Sequence, residues 1–229
     1  MKQASMITVH HLENSRSQRV LWLLEELGLD YQLERYKRDP KTQFAPEALR
    51  KVHPLGKSPV VTDGGVTIAE SGAIVEYLVD RYGKGRLAPA AGTPERLRWT
   101  YWLHFAEGSA MPPLLMKLVF DRVRTAPVPF FVKPVTRMIA AKAMKEFIQP
   151  NLTRQFDFME AELTRSPWFA GDAFSAADIQ MSFPVEAAAG RAGLDASRPK
   201  LVGWLERIHA RPAYARALER GGPYSLDVR

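Results

Sequence analysis

Along the first 82 residues, short alternating apolar–polar runs trade places with runs of helical period. Ile7 and Val9 alternate with polar neighbours across Met6–His10, which predicts a short strand. A loop at Leu12–Asn14 leads into Ser15–Leu29, where Val20, Leu21, Leu23, Leu24 and Leu27 recur with a helical period and Gly28 supplies a stop. Tyr31–Tyr36 alternates again, a second strand. Pro46–Val52 predicts a short helix ended by His53-Pro54, because a residue before proline is pushed out of the helical region. Pro59–Thr62, Asp63-Gly64-Gly65 and Val66–Ile68 read as a hairpin, and Glu70–Tyr82 as a helix burying Ala73, Ile74, Tyr77 and Leu78. Gly83–Pro94 is rich in glycine, proline and alanine and reads as a linker. Beyond it only helical patterns occur, over about 95–121, 135–164, 176–190, 200–210 and 212–220. The expected architecture is a small α/β domain over residues 1–83, a linker at 84–94 and an all-helical domain over 95–229.

Composition narrows the chemistry. No run approaches the roughly 18 apolar residues that span a bilayer, and the polar start MKQASMITVHH lacks a signal-peptide apolar region, so the expectation is a cytoplasmic protein with no membrane partner. The 229 residues include no cysteine, which removes disulfides, thiolate-bound metals and any protein thiolate nucleophile. Five scattered histidines show no metal-ligand spacing, so no metal is expected. The net charge of +7 is unevenly placed. Residues 1–85 carry 12 Lys/Arg against 11 Asp/Glu, and residues 86–229 carry 20 against 14. Within 117–145 lie Lys117, Arg122, Arg124, Lys133, Arg137, Lys142 and Lys145 with Asp121 as the one acid. Nucleic-acid binding would also need an aromatic-interleaved stripe or a known binding fold, so no nucleic-acid partner is expected; the stretch reads as a solvated face or as attraction for an anionic substrate.

Three local features of the first domain bear on function. Asn14-Ser15-Arg16-Ser17-Gln18-Arg19 stands where strand one meets helix one; either serine can be an ordinary cap, and the same junction is a ready anion site. Gly56-Lys57-Ser58-Pro59-Val60 places a proline at a strand start, compatible with an ordinary turn, an edge strand or a cis peptide. In Glu70-Ser71-Gly72-Ala73-Ile74, Ser71 is by default a cap, but Glu70 and Ser71 together can take an ammonium and a carboxylate.

Taken in order and spacing, these segments resemble the glutathione S-transferase family over essentially the whole chain. A fourth match is Phe174-Ser175-Ala176-Ala177-Asp178-Ile179, where Ser175 and Asp178 form a capping box and Phe174 and Ile179 a hydrophobic staple. The resemblance implies a thioredoxin-like N-terminal domain that binds glutathione, a helical C-terminal domain lining a pocket for a small hydrophobic electrophile, and a homodimer. By the same resemblance Pro59 is the cis-proline, Ser58 pairs with the cysteinyl part of glutathione, Glu70 and Ser71 clamp the γ-glutamyl end, and Lys57 and, more weakly, His53 approach the glycyl carboxylate.

Subfamilies activate the thiol with tyrosine, serine or cysteine. No tyrosine lies in the junction, and Ser15, four residues before Arg19, resembles the catalytic serine of the serine-type, theta-like bacterial and fungal enzymes; Ser17 and Asn14 are its local rivals. Tyr101–Ser109 and Met111–Lys117 should lie on one helix kinked by Pro112-Pro113. Met111, Leu115 and His104 are the candidates for the co-substrate pocket, against the commoner reading of such side chains as core or helix-interface residues. The Pro-rich, Phe-containing segment Val123–Val135 reads as cover for a pocket or a partner. Conjugation, peroxide reduction, dehalogenation, isomerisation and a non-catalytic binding or assembly role all remain open on one such scaffold.

Overall fold

The computed structural model describes residues 6–222 and 224–226; the ends of the two expected domains, 1–5 and 227–229, lie outside it. Strands β1 (Ile7–Leu12), β2 (Tyr31–Tyr36), β3 (Val60–Asp63) and β4 (Val66–Ala69) form one sheet in the order β2-β1-β3-β4. The β1 and β2 strands run parallel, with Ile7 opposite Tyr31 and Leu12 opposite Tyr36, joined by α1 (Ser17–Leu27). The other pairings are antiparallel, and the β3–β4 turn uses Gly64 at φ 60°, a left-handed conformation that glycine adopts without Cβ strain. A short α2 (Glu47–Val52) and α3 (Ser71–Tyr82) complete the first domain, which is thioredoxin-like. The apolar face read for α1 is fully buried at Val20, Leu21, Leu23 and Leu24.

The second domain is helical: α4 (Pro94–Phe105), α5 (Met111–Thr125), α6 (Lys133–Ala143), α7 (Gln149–Arg165), α8 (Ala176–Arg191), α9 (Pro199–His209) and α10 (Pro212–Gly221). Where one helix kinked at Pro112-Pro113 was expected, a π-helical turn over Ala106–Ala110 lies between α4 and α5. Two successive prolines donate no backbone N–H, so carbonyls of the preceding turn need other partners. The Met111 N–H reaches back to the Ala106 carbonyl, and the Ser109 carbonyl accepts from Gln155 Nε2 at 2.7 Å. A second π turn, Met144–Ile148, joins α6 to α7, again just before a proline, Pro150.

The capping box forms as its sequence predicts. The Ser175 hydroxyl accepts the Ala177 N–H, and Asp178 accepts the Ser175 N–H at 3.0 Å. Asp178 also accepts the Phe169 N–H and Trp204 Nε1–H, each at 3.0 Å, so this carboxylate organises the start of α8 and its contact with α9. The linker is tied to the second domain at Leu87, whose carbonyl accepts from Trp99 Nε1 and from the Ala176 N–H. Helix α10 returns onto α1, where Arg211 bonds Glu26, and Arg216 and Arg220 pair with Glu25. Gly221 permits that close approach, since a Cβ there would run into Gln18. Between α5 and α6 the Pro-rich segment leaves Phe130 and Phe131 81% and 68% exposed, their rings edge to face.

Candidate functional site

At the edge of the sheet a cleft of about 160 Å³ collects segments distant in sequence. Its walls come from Arg16 beside α1, from His53, Leu55, Lys57, Ser58 and Pro59 ahead of β3, and from Ala69, Glu70 and Ser71 at the β4–α3 junction. The second domain adds Glu107 from the first π turn.

The Ser58–Pro59 peptide is cis. The Ser58 hydroxyl donates to the His10 carbonyl at 2.9 Å and accepts the Leu12 N–H at 3.2 Å, tying this loop to β1 where strand pairing has ended. Across the cleft Ser71 is the first residue of α3, and Glu70 precedes it at φ 69°. A left-handed glutamate costs on the order of 1–3 kcal/mol and persists only where its surroundings hold it. The Glu70 side chain does not cap this helix, so its first N–H groups and the positive end of its dipole face the cleft, where an anion can be held. At the start of α1 the N-cap residue, Arg16, makes no side-chain cap bond, and the first N–H of the helix, that of Ser17, is taken by Ser15 Oγ. The open start of α3 thus borders a cleft that also carries Glu70, an acceptor for an ammonium group.

Ser15 lies immediately behind the wall made by Arg16 and Ser58, its side chain buried. Its Oγ is 2.7 Å from Ser17 Oγ and 3.4 Å from Ser58 Oγ, and it accepts the Ser17 N–H at 3.3 Å. Ser17 is fully buried, with its Oγ 2.8 Å from His11 Nδ1. Asn14 is exposed at φ 48°, and its side-chain oxygen accepts the Ser225 N–H at 2.9 Å.

Of the residues read from sequence, Lys57, Ser58, Pro59, Glu70, Ser71 and His53 meet in one cleft, with Ser15 adjoining it. His104, Met111 and Leu115 do not line that cleft: Met111 is buried in the core, whereas His104 and Leu115 are exposed. Sequence reasoning missed Arg16 and Glu107. Glu107 pairs with Arg16 Nε at 3.0 Å and with Arg19, whose other nitrogen, Nη1, donates to the Gln180 carbonyl at 2.6 Å. Burial alone would raise the Glu107 carboxyl; the Arg19 and Arg16 charges outweigh it and hold the group below its usual range. The available signal was one acid in the mostly apolar stretch 101–115, whose other polar side chains besides the Tyr101 hydroxyl are His104 and Ser109.

The fold is that of a thioredoxin-like domain followed by a helical one, and comparison with known proteins identifies the family. The glutathione S-transferase N-terminal domain matches residues 4–80 and the glutathione S-transferase C-terminal domain residues 123–212. Glutathione S-transferase 3 of Schizosaccharomyces pombe is 35% identical over 215 residues, covering 94% of this chain and 88% of its own length. The crystal structure of a glutathione S-transferase from Actinobacillus pleuropneumoniae superposes with a TM-score of 0.79 at 35% identity, covering 97% of this chain and 95% of that one. A sphingomonad glutathione S-transferase complexed with glutathione superposes with a TM-score of 0.70 at 26% identity, covering 94% and 98%. The chain belongs to the glutathione S-transferase family.

Proposed function

We propose that this protein is a glutathione transferase of the serine type. The observation that carries the reading is the meeting of the uncapped start of α3, bearing Glu70 and Ser71, with the Ser58–Pro59 segment in one cleft backed by the Ser15 hydroxyl. Glu70 takes the γ-glutamyl ammonium, and Ser71 and the helix N–H groups take its carboxylate. The Ser58 backbone pairs with the cysteinyl unit, and Lys57 and His53 face the glycyl carboxylate. The family relationship and the glutathione complex of a relative support glutathione as the co-substrate. No metal is required.

In this reading Ser15 is no base. It donates its O–H to the thiolate of the substrate, whose proton leaves to solvent. Lowering a thiol pKa by about 2 units takes about 2.7 kcal/mol of differential stabilisation. A hydrogen bond to a charged group contributes about 1.5–3 kcal/mol, and a helix N-terminus adds about 0.3–1 kcal/mol. One hydroxyl beside the start of α1 is therefore sufficient. The thiolate then attacks an electrophilic carbon of a small hydrophobic substrate and displaces its leaving group, or attacks a peroxide oxygen, forming an S–O bond as the O–O bond breaks and the alkoxide leaves and takes a proton from water. Ser17 is walled off behind Ser15, and the Asn14 side-chain oxygen is engaged by the C-terminal segment, which favours Ser15 over both.

The same reading takes residues 1–83 as the glutathione-binding domain, 84–94 as the linker and 95–229 as the co-substrate domain, with Met111, Leu115 and His104 on the co-substrate side. The protein would work as a cytoplasmic homodimer. Ultraviolet titration of bound glutathione tests the assignment. Ser15→Ala should raise the bound thiol pKa by about 1–2 units and lower turnover, with little change in glutathione affinity. A titration identical to wild type would remove Ser15 from the role.

A further inference from the structure

Helix α6 turns the larger of its apolar side chains outward. A surface helix ordinarily lays its apolar stripe on the core and leaves polar side chains in water. The inward stripe of α6 is made of small residues, Thr136, Ala140 and Ala143, and Ala140 alone is buried, although the helix packs against α5. On the opposite face, at i, i+3 and i+4, Val135, Met138 and Ile139 are 48%, 65% and 50% exposed. Phe130 and Phe131 stand in the turn that leads into α6 and adjoin this face, their rings 5.6 Å apart. A single exposed apolar residue is ordinary on a protein surface. Five within the ten residues 130–139 form a patch, and such a patch marks an interaction site.

The charge around the patch indicates what covers it. Residues 130–145 hold Lys133, Arg137, Lys142 and Lys145 and no acid; Glu146 is the first to follow. All four cations are exposed, and none forms an ion pair among the described residues, whereas Lys117 and Arg124 are both drawn onto Asp121. Lys142 lies one turn beyond Met138 and Ile139 on the same face, and Lys145 follows in the second π turn. Lysines so placed lay their methylenes along an apolar stripe and carry their ammonium groups to the polar side of an interface. We propose that the segment 130–145 is a peripheral docking surface for an anionic phospholipid bilayer. Its apolar side chains enter the boundary between headgroups and acyl chains, and its four cations meet the anionic headgroups. A second copy laid symmetrically on this face would set the same cations against one another with no acid between them. A protein partner would need an apolar hollow ringed with acids, whereas a fluid bilayer receives apolar side chains of any shape. The contact is peripheral, because no helix among the described residues is long and apolar enough to cross a bilayer. The lack of a spanning segment bears on crossing a membrane and not on lying against one.

Co-sedimentation of the full chain with lipid vesicles tests this. Phosphatidylcholine vesicles containing about 30% phosphatidylserine should carry the protein down at about 0.1 M salt, and pure phosphatidylcholine vesicles should not. Replacing two headgroup contacts in Lys142→Gln/Lys145→Gln should weaken partitioning about 10–30-fold, and raising salt to about 0.5 M should weaken wild-type binding in the same direction. Phe130→Ser/Phe131→Ser should weaken it about 10-fold or more. All four side chains are exposed, so both variants should melt like wild type; Met138→Gln, expected to move binding the same way, serves if the phenylalanine variant folds poorly. No binding of the wild-type protein to phosphatidylserine vesicles, equal binding to both kinds of vesicle, or undiminished binding in the phenylalanine and Met138 variants overturns the inference. Retention on polyglutamate without binding to vesicles would assign the face to an acidic protein and also overturn it. So would a phenylalanine variant whose mass by light scattering is smaller than wild type, since that assigns the face to a second copy.

Discussion

Removing the carboxylate of Glu107 isolates a buried charge. Arg19 is 2% exposed, donates Nη1 to the Gln180 carbonyl and another N–H to Glu107, and has no partner at Nε. In Glu107→Ala the guanidinium keeps a single carbonyl acceptor inside the contact between α1 and α8. Breaking one side of a buried pair costs about 3–5 kcal/mol, and because Glu107 is itself a third exposed, water reaching the vacated side reduces this to about 3 kcal/mol. At this chain length each kcal/mol moves Tm by about 2–4 °C, so the melting temperature should fall by about 6–12 °C. Arg16→Ala, which removes the outer, partly solvated arm of the same cluster, should cost less than about 1 kcal/mol. Thermal melts and urea titrations of both variants make the comparison. Equal, small losses in the two would show that the Arg19 charge does not depend on Glu107 and would sink the argument.

Two further predictions concern stability. His11 titrates at about 4 when folded and near 6.5 when unfolded, so between those values the unfolded chain binds the extra proton; stability should fall by about 3 kcal/mol as pH drops from 6.5 to 4, and His11→Phe should flatten this slope in urea titrations. Ser175→Ala removes the hydroxyl that accepts the Ala177 N–H and should cost about 1 kcal/mol in the same assay, whereas an unaffected midpoint would show that Asp178 alone holds the start of α8.

The α/β domain was legible because its signals are local: alternation in β1 and β2, Asp63-Gly64-Gly65 at the hairpin, Leu21 and Leu24 on the buried face of α1. The Ser175–Asp178 box needs only four residues to announce itself. Other features depend on backbone states that residue type does not reveal. Ser71 has the chemistry of a cap, but the N-cap position belongs to Glu70 at φ 69°, which leaves the helix end open to the cleft. Glu107 was hidden for a geometric reason. A π turn inserts one residue into the helical count, which rotates everything after it by about 100° relative to an uninterrupted α-helix. Glu107, inside the turn, is what reaches the cleft, a placement that an uninterrupted 3.6-residue count does not give. The His11–Ser17–Ser15 chain was hidden for a similar reason, since it requires β1 and the start of α1 to be seen side by side.

The central claim is that glutathione sits in this cleft with its γ-glutamyl end on Glu70 and Ser71. Isothermal titration of glutathione into the wild-type protein and into Glu70→Gln tests it most directly. The account predicts one glutathione per chain, and a Kd at least about 10-fold weaker in Glu70→Gln, the loss expected when a hydrogen bond between charged groups is reduced to a neutral one. Wild-type affinity in Glu70→Gln, or no binding to the wild-type protein, would contradict it.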